Sequence, residues 1–86
     1  MPIISSFFGI IIRMYFDDHE PPHFHAEYQG QDAIVGLDGV VLQGEISSAR
    51  ARRLIKEWAK LRRFELELNW RRAKSLTPLS NIAPLE

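Results

Sequence analysis

The stretch Asp17-Asp18-His19-Glu20-Pro21-Pro22-His23-Phe24-His25 constrains this chain more than any other. Proline fixes φ and biases the preceding residue towards extended backbone, so the Pro-Pro pair makes a stiff loop and not a helix. The residues that follow, His23-Phe24-His25-Ala26-Glu27-Tyr28, alternate polar and apolar, which is the period of a half-buried strand. Successive strand side chains point to opposite faces. His23, His25 and Glu27 therefore share one face, and Phe24, Ala26 and Tyr28 the other.

Flanking segments extend this strand into a sheet. Ile10 to Phe16 is rich in β-branched and aromatic residues, which suit a pleated surface. It places Ile10, Ile12, Met14 and Phe16 on one face and Ile11, Arg13 and Tyr15 on the other. If strands 10–16 and 23–28 pair as a hairpin, Arg13, Tyr15, His23, His25 and Glu27 fall on one side, since sequential strands pair more often than not. Gln29-Gly30-Gln31 reads as a turn before a third strand at 32–37. Asp38-Gly39 lies between two apolar runs and fits a type I′ turn, leading to a fourth strand at 40–46. Met1 to Phe8 reads as an extended lead-in, with Gly9 marking a bulge.

Beyond residue 46 the period changes. Ser47-Ser48 can cap a helix. Ala51, Leu54, Ile55, Trp58 and Leu61 then cluster on one side at 100° per residue, opposite Arg53, Lys56, Lys60 and Arg63. The phase fails after Arg63, which predicts a kink or a second helix over about 64–74, packed on two sides. Pro78 ends helical options. Leu76, Leu79, Ile82 and Leu85 recur every third position in a tail over 75–86, which either docks on its own domain or awaits a partner. The expected fold is α+β: a four-stranded, mainly antiparallel sheet with a long, kinked or broken C-terminal helical region packed on one face, all in a single domain over 1–86.

Composition removes some function classes. The chain has no cysteine, so disulfides and thiolate metal sites are impossible, in keeping with a reducing compartment. The apolar N-terminus is broken by Ser5, Ser6, Gly9 and Arg13, so neither a signal peptide nor a membrane span is expected and the location expected is cytoplasmic. Charge is uneven. Residues 1–46 carry one base, Arg13, against seven acids (−6), and residues 47–86 carry ten bases against four acids (+6). That asymmetry suits internal complementarity and, second, a charged partner. At 86 residues the core is modest, so a partner or a second copy would add stability.

Three chemistries compete for the histidine stretch. In a metal site, His23 and His25 bind from one strand face, with His19 or Glu27 completing the set; zinc, iron and nickel accept such ligands. In acid–base catalysis, a histidine pair beside Arg13, Tyr15 and Glu27 has the parts for RNA cleavage: a proton acceptor, a proton donor and a cation for the phosphorane charge. In a structural role, the rings bond the nearby Asp17, Asp18 and Glu20. With no clearly placed fourth ligand, a tight zinc site is not expected and no cofactor is assigned. The basic helix stripe lacks interleaved aromatics, so it reads first as a solvated face and second as a surface for an acidic partner or an RNA backbone.

The opening Met1-Pro2-Ile3-Ile4-Ser5, the run Gly9 to Phe16, and above all Asp18-His19-Glu20-Pro21-Pro22-His23-Phe24-His25-Ala26-Glu27-Tyr28 resemble a small prokaryotic family known as a domain of unknown function, number four thousand one hundred and sixty. Glu57-Trp58, Asn69-Trp70 and Ile82-Ala83-Pro84-Leu85-Glu86 fit its pattern. Members are typically encoded beside a second small protein, and some pairs look like toxin–antitoxin modules. The resemblance implies a growth-inhibiting toxin of a type II module, acting on RNA or translation, with a small antitoxin from the adjacent gene as partner. Its signature falls here on Arg13, Tyr15, Asp18, His19, Pro22, His23, Phe24, His25 and Glu27. The candidate catalytic set is thus His23, His25, Arg13, Tyr15, Glu27, His19 and Asp18, with His19, His23 and His25 as the metal set if one exists. The runner-up is a non-catalytic metal-binding or regulatory interaction domain. The chain departs from the family pattern at Ala49 to Arg52, which is more basic, and at Arg63-Phe64; both departures bear on partner contact.

Overall fold

Three short turns set the sheet. Phe8 and Gly9 both have positive φ (50° and 81°), as do Gln29 and Gly30 (48° and 80°). Two such residues in succession make the turn whose twist matches antiparallel strands. The computed structural model describes residues 2–86. In it β1 (Ile3–Phe7), β2 (Ile10–Arg13), β3 (His23–Tyr28), β4 (Gln31–Gly36) and β5 (Val41–Gly44) form one antiparallel sheet in sequence order. The expected four strands are therefore five. The segment read as a lead-in is β1, and Gly9 belongs to a turn, not a bulge. β2 also stops at Arg13, short of the expected Phe16, because the chain turns away into the acidic loop.

The Asp38-Gly39 hairpin forms, but not as a type I′ turn. Gly39 N–H donates to Gly36 C=O at 2.8 Å, and Gly36 N–H to Val40 C=O at 2.9 Å. Of Asp38 and Gly39, only Gly39 has positive φ, at 88°. Asp38 Oδ1 instead accepts from Val40 N–H at 3.0 Å, a bond a short carboxylate makes readily in a turn. A Cβ on Gly39 would lie 2.9 Å from Lys56 Cα, so glycine is also what lets this turn approach the first helix.

Two helices follow. α1 (Ala49–Leu61) is capped by Ser48, whose Oγ accepts from Ala51 N–H at 3.0 Å. The helix breaks at Arg62, and α2 (Arg63–Lys74) begins. The break was expected. The packing of α2 on two sides was not found: Leu66, Asn69, Trp70 and Ala73 are buried while Phe64 is exposed. Leu61, assigned to the buried stripe of α1, is also exposed, being the last residue before the break.

One face of the sheet packs on the helices. Ile10, Ile12, Phe24, Ala26, Ala33 and Val35 are buried there with Ala51, Ile55, Trp58 and Ala59. Trp58 meets Phe24 edge-on at 5.6 Å and Phe7 at 5.3 Å between ring centroids. Each such large side chain contributes about 1.5–3 kcal/mol by leaving water. The tail docks on its own domain. Ile82 is buried, its N–H donates to Ile4 C=O at 2.7 Å, and Ala83 C=O accepts from Trp58 Nε1 at 2.9 Å. Asn69, wholly buried, holds Ser80 from both sides: Nδ2 donates to Ser80 C=O at 2.8 Å, and Oδ1 accepts Ser80 N–H at 3.0 Å. Among the described residues no helix is long and apolar enough to cross a membrane.

Candidate functional site

The strand register places the site. β2 and β3 pair Arg13 with His25 and Ile11 with Glu27, so Arg13, His25 and Glu27 stand together on the face away from the helices. Arg13 Nη1 donates to Glu27 Oε1, which fixes the guanidinium along that face. Tyr15, just past β2, meets the His25 ring edge-on at 4.4 Å between centroids. The alternation expected from sequence therefore holds, with Phe24 and Ala26 buried under the helices.

His23 begins the same face but is not open to solvent. Its ring is 2 % exposed, covered by the loop before it and by Trp70 of α2, whose centroid lies 5.2 Å away. The loop is pinned onto the end of α2. Asp17 N–H donates to Ala73 C=O at 3.0 Å, and Lys74 Nζ donates to Asp18 C=O at 2.8 Å. Asp17 itself has φ of 52°, a conformation aspartate tolerates better than most residues.

That anchoring turns Asp18 inward. Its Oδ2 lies 2.8 Å from His23 Nε2 and 3.3 Å from His25 Nε2. Its Oδ1 accepts His19 N–H at 2.9 Å. His19 Nδ1 is also 2.9 Å from Oδ1, on a side chain that is 80 % exposed. Burial works to raise the Asp18 pKa. It is outweighed by the His19 amide, the His25 and His23 rings and the His23 charge, and the pKa falls from 3.8 to about 2. At neutral pH Asp18 is therefore a carboxylate, which accepts hydrogen bonds but cannot donate.

His23 Nδ1 lies 2.8 Å from Pro21 C=O, and a carbonyl only accepts, so that nitrogen carries a proton. Its other nitrogen faces the Asp18 carboxylate. Both ring nitrogens of His23 thus face oxygen atoms, the Pro21 carbonyl and the Asp18 carboxylate.

The structure brings together six of the seven sequence candidates, namely Arg13, Tyr15, Asp18, His23, His25 and Glu27, with the His23 and His25 ring centroids 5.3 Å apart. It leaves His19 at the rim. Beside His25 a cleft of about 190 Å³ runs over Asp32, Ile34 and Gln43. Two neighbours escaped sequence reasoning. Trp70 fits the family pattern but carries no sequence sign that it walls His23. Lys74 was not singled out, yet it holds the loop; its distance in sequence left no local signal.

A comparison with family models matches residues 9–71 to a domain of unknown function (DUF4160). The match runs from β2 into α2 and takes in every residue of the site except Ala73 and Lys74, which hold the loop. No curated protein and no solved structure matches the chain.

Proposed function

From the premise that the chain belongs to the DUF4160 family, we propose that it is the growth-inhibiting member of a type II toxin–antitoxin module and acts on RNA through the open face of β3. One observation carries this reading: the partly exposed His25 edge stands between a tyrosine, a carboxylate and an arginine on the neighbouring strand, at the lip of a cleft. Cleavage of RNA within its own chain needs few parts. A group takes the 2′-hydroxyl proton, the 2′-oxygen bonds to phosphorus, and the P–O5′ bond breaks as a second group returns a proton to the 5′-oxygen. Glu27 and the Asp18–His23–His25 trio are the groups here that exchange protons, and Arg13 carries the fork geometry that grips a phosphate.

The partner in this reading is a small protein from the adjacent gene. The tail is already committed to its own domain, so the partner meets the basic side of α1, where Arg53, Lys56 and Lys60 stand with Leu61 exposed. An acidic partner docking there associates more slowly in salt, while the assembled complex persists.

The test is induced expression in growing cells. The parent arrests growth, and co-expression of the adjacent gene product relieves it. His25→Ala and Arg13→Lys, each confirmed as folded by circular dichroism, lower the chemical step about a hundredfold or more and relieve the arrest. A folded His25→Ala variant that arrests growth as strongly as the parent would falsify the assignment.

A further inference from the structure

We propose that Asp18, His23 and His25 form a binding site for one divalent first-row transition ion, with zinc and ferrous iron the best matched. Asp18 Oδ2, His23 Nε2 and His25 Nε2 all lie within 4.8 Å of one another. They face a common point from two independent pieces of chain, the start of β3 and the loop pinned to α2. Two imidazoles and one carboxylate, leaving further positions open, are a donor set that zinc and non-haem iron both use.

Three features go beyond proximity. First, His23 donates Nδ1–H to the Pro21 carbonyl at 2.8 Å. Metal-bound histidines almost always give their other N–H to such an acceptor, which fixes the tautomer and turns the remaining lone pair towards the ion. Second, that bond leaves His23 Nε2 2.8 Å from Asp18 Oδ2 in a ring that is 2 % exposed, with no water needed between them. A metal ion accepts a lone pair from each of these atoms at once. Third, the spacing nearly fits. Ligands at about 2.1 Å around a tetrahedral ion stand roughly 3.4 Å apart. The His25–Asp18 pair is already at 3.3 Å, and the His23–Asp18 pair, at 2.8 Å, opens by about 0.6 Å to reach the same geometry.

The sequence led instead to no tight zinc site, with His19 as third ligand if any. The fold replaces His19 by Asp18. His19 reaches only Oδ1, on the far side of the carboxylate, and points into solvent. With an ion bound, Nε2 of both histidines would be committed, and a water on the ion would take over proton exchange.

Metal loading is read on the chain alone, so its outcome is separate from the growth test. Full-length protein, stripped with chelator, is titrated calorimetrically with Zn²⁺ and with Co²⁺, and the Co²⁺ form is read by visible absorption. The expected result is one ion per chain, a Co²⁺ spectrum of low coordination number, and a higher melting temperature with metal. Asp18→Asn and His25→Ala, neither of which alters the core, each weaken binding at least roughly 10–100-fold. His19→Ala leaves affinity within about threefold, since its ring is outside the set. Absence of saturable binding, or binding unaffected by both Asp18→Asn and His25→Ala, would overturn the site. So would nitrogen NMR in which the His23 Nε2 signal does not move on adding excess metal.

Discussion

The two faces of β3 are built on opposite terms. Under the helices, Phe24 and Ala26 join an apolar layer in which many side chains share the burial. On the other face His23, His25 and Glu27 depend on a few named atoms: one carboxylate oxygen, one proline carbonyl and one guanidinium. The first arrangement is tolerant, because hydrophobic burial has no direction. The second is not, because a buried polar group without its partner costs its full desolvation. One six-residue strand thus separates what holds the domain up from what the domain presents.

Substitutions on the two faces should therefore differ in size and in kind. The largest effect belongs to the apolar face. Phe24→Ala leaves a cavity against Trp58 and lowers stability by about 3–5 kcal/mol, read from the denaturant midpoint, whereas Phe24→Leu stays under about 1.5 kcal/mol. Next comes His23→Ala, which strips the donor from Pro21 and Asp18 and costs about 1–3 kcal/mol. His25→Ala, on the open side, costs under about 1 kcal/mol by the same measurement, yet weakens metal binding as much as His23→Ala does. If His25→Ala matched Phe24→Ala in stability, the open face would be core and the division would collapse.

Asn69→Ala asks whether the helix side tolerates a polar loss. Asn69 is buried and holds the tail at Ser80, so its removal should cost about 1–3 kcal/mol and speed protease cleavage between residues 76 and 86. The smallest effect is Glu67→Gln, which breaks the exposed pair with Arg63 at 2.9 Å and shifts stability by less than about 0.5 kcal/mol.

Much of the sheet was readable because strand alternation is local. His23 to Tyr28 declares its two faces within six residues, and the short Gln29-Gly30 turn sets its register to β4. The β1 strand was not readable. Ser5 and Ser6 break its apolar run, and its place is settled by pairing with β2 on one side and by Ile82 on the other. The site divides in the same way. His23 and His25 announce themselves by spacing. Asp18 does not, since two other acids lie within two positions of it. What selects Asp18 is the clamp of Asp17 on Ala73 and of Lys74 on the Asp18 carbonyl. Those contacts cross most of the chain, and no window of sequence contains them.

The bond from Ile82 N–H to Ile4 C=O has a consequence for synthesis. A ribosome adding roughly 5–20 residues per second needs on the order of ten seconds to go from Ile4 to Ile82. Until Ile82 arrives the outer rim of the first strand lacks this bond, although the other four strands are complete once Gly44 is made. A bare strand rim is a template for any extended peptide nearby. On a crowded message, neighbouring nascent chains are the nearest such peptides, and the arrival of the segment around Ile82 is what withdraws the offer.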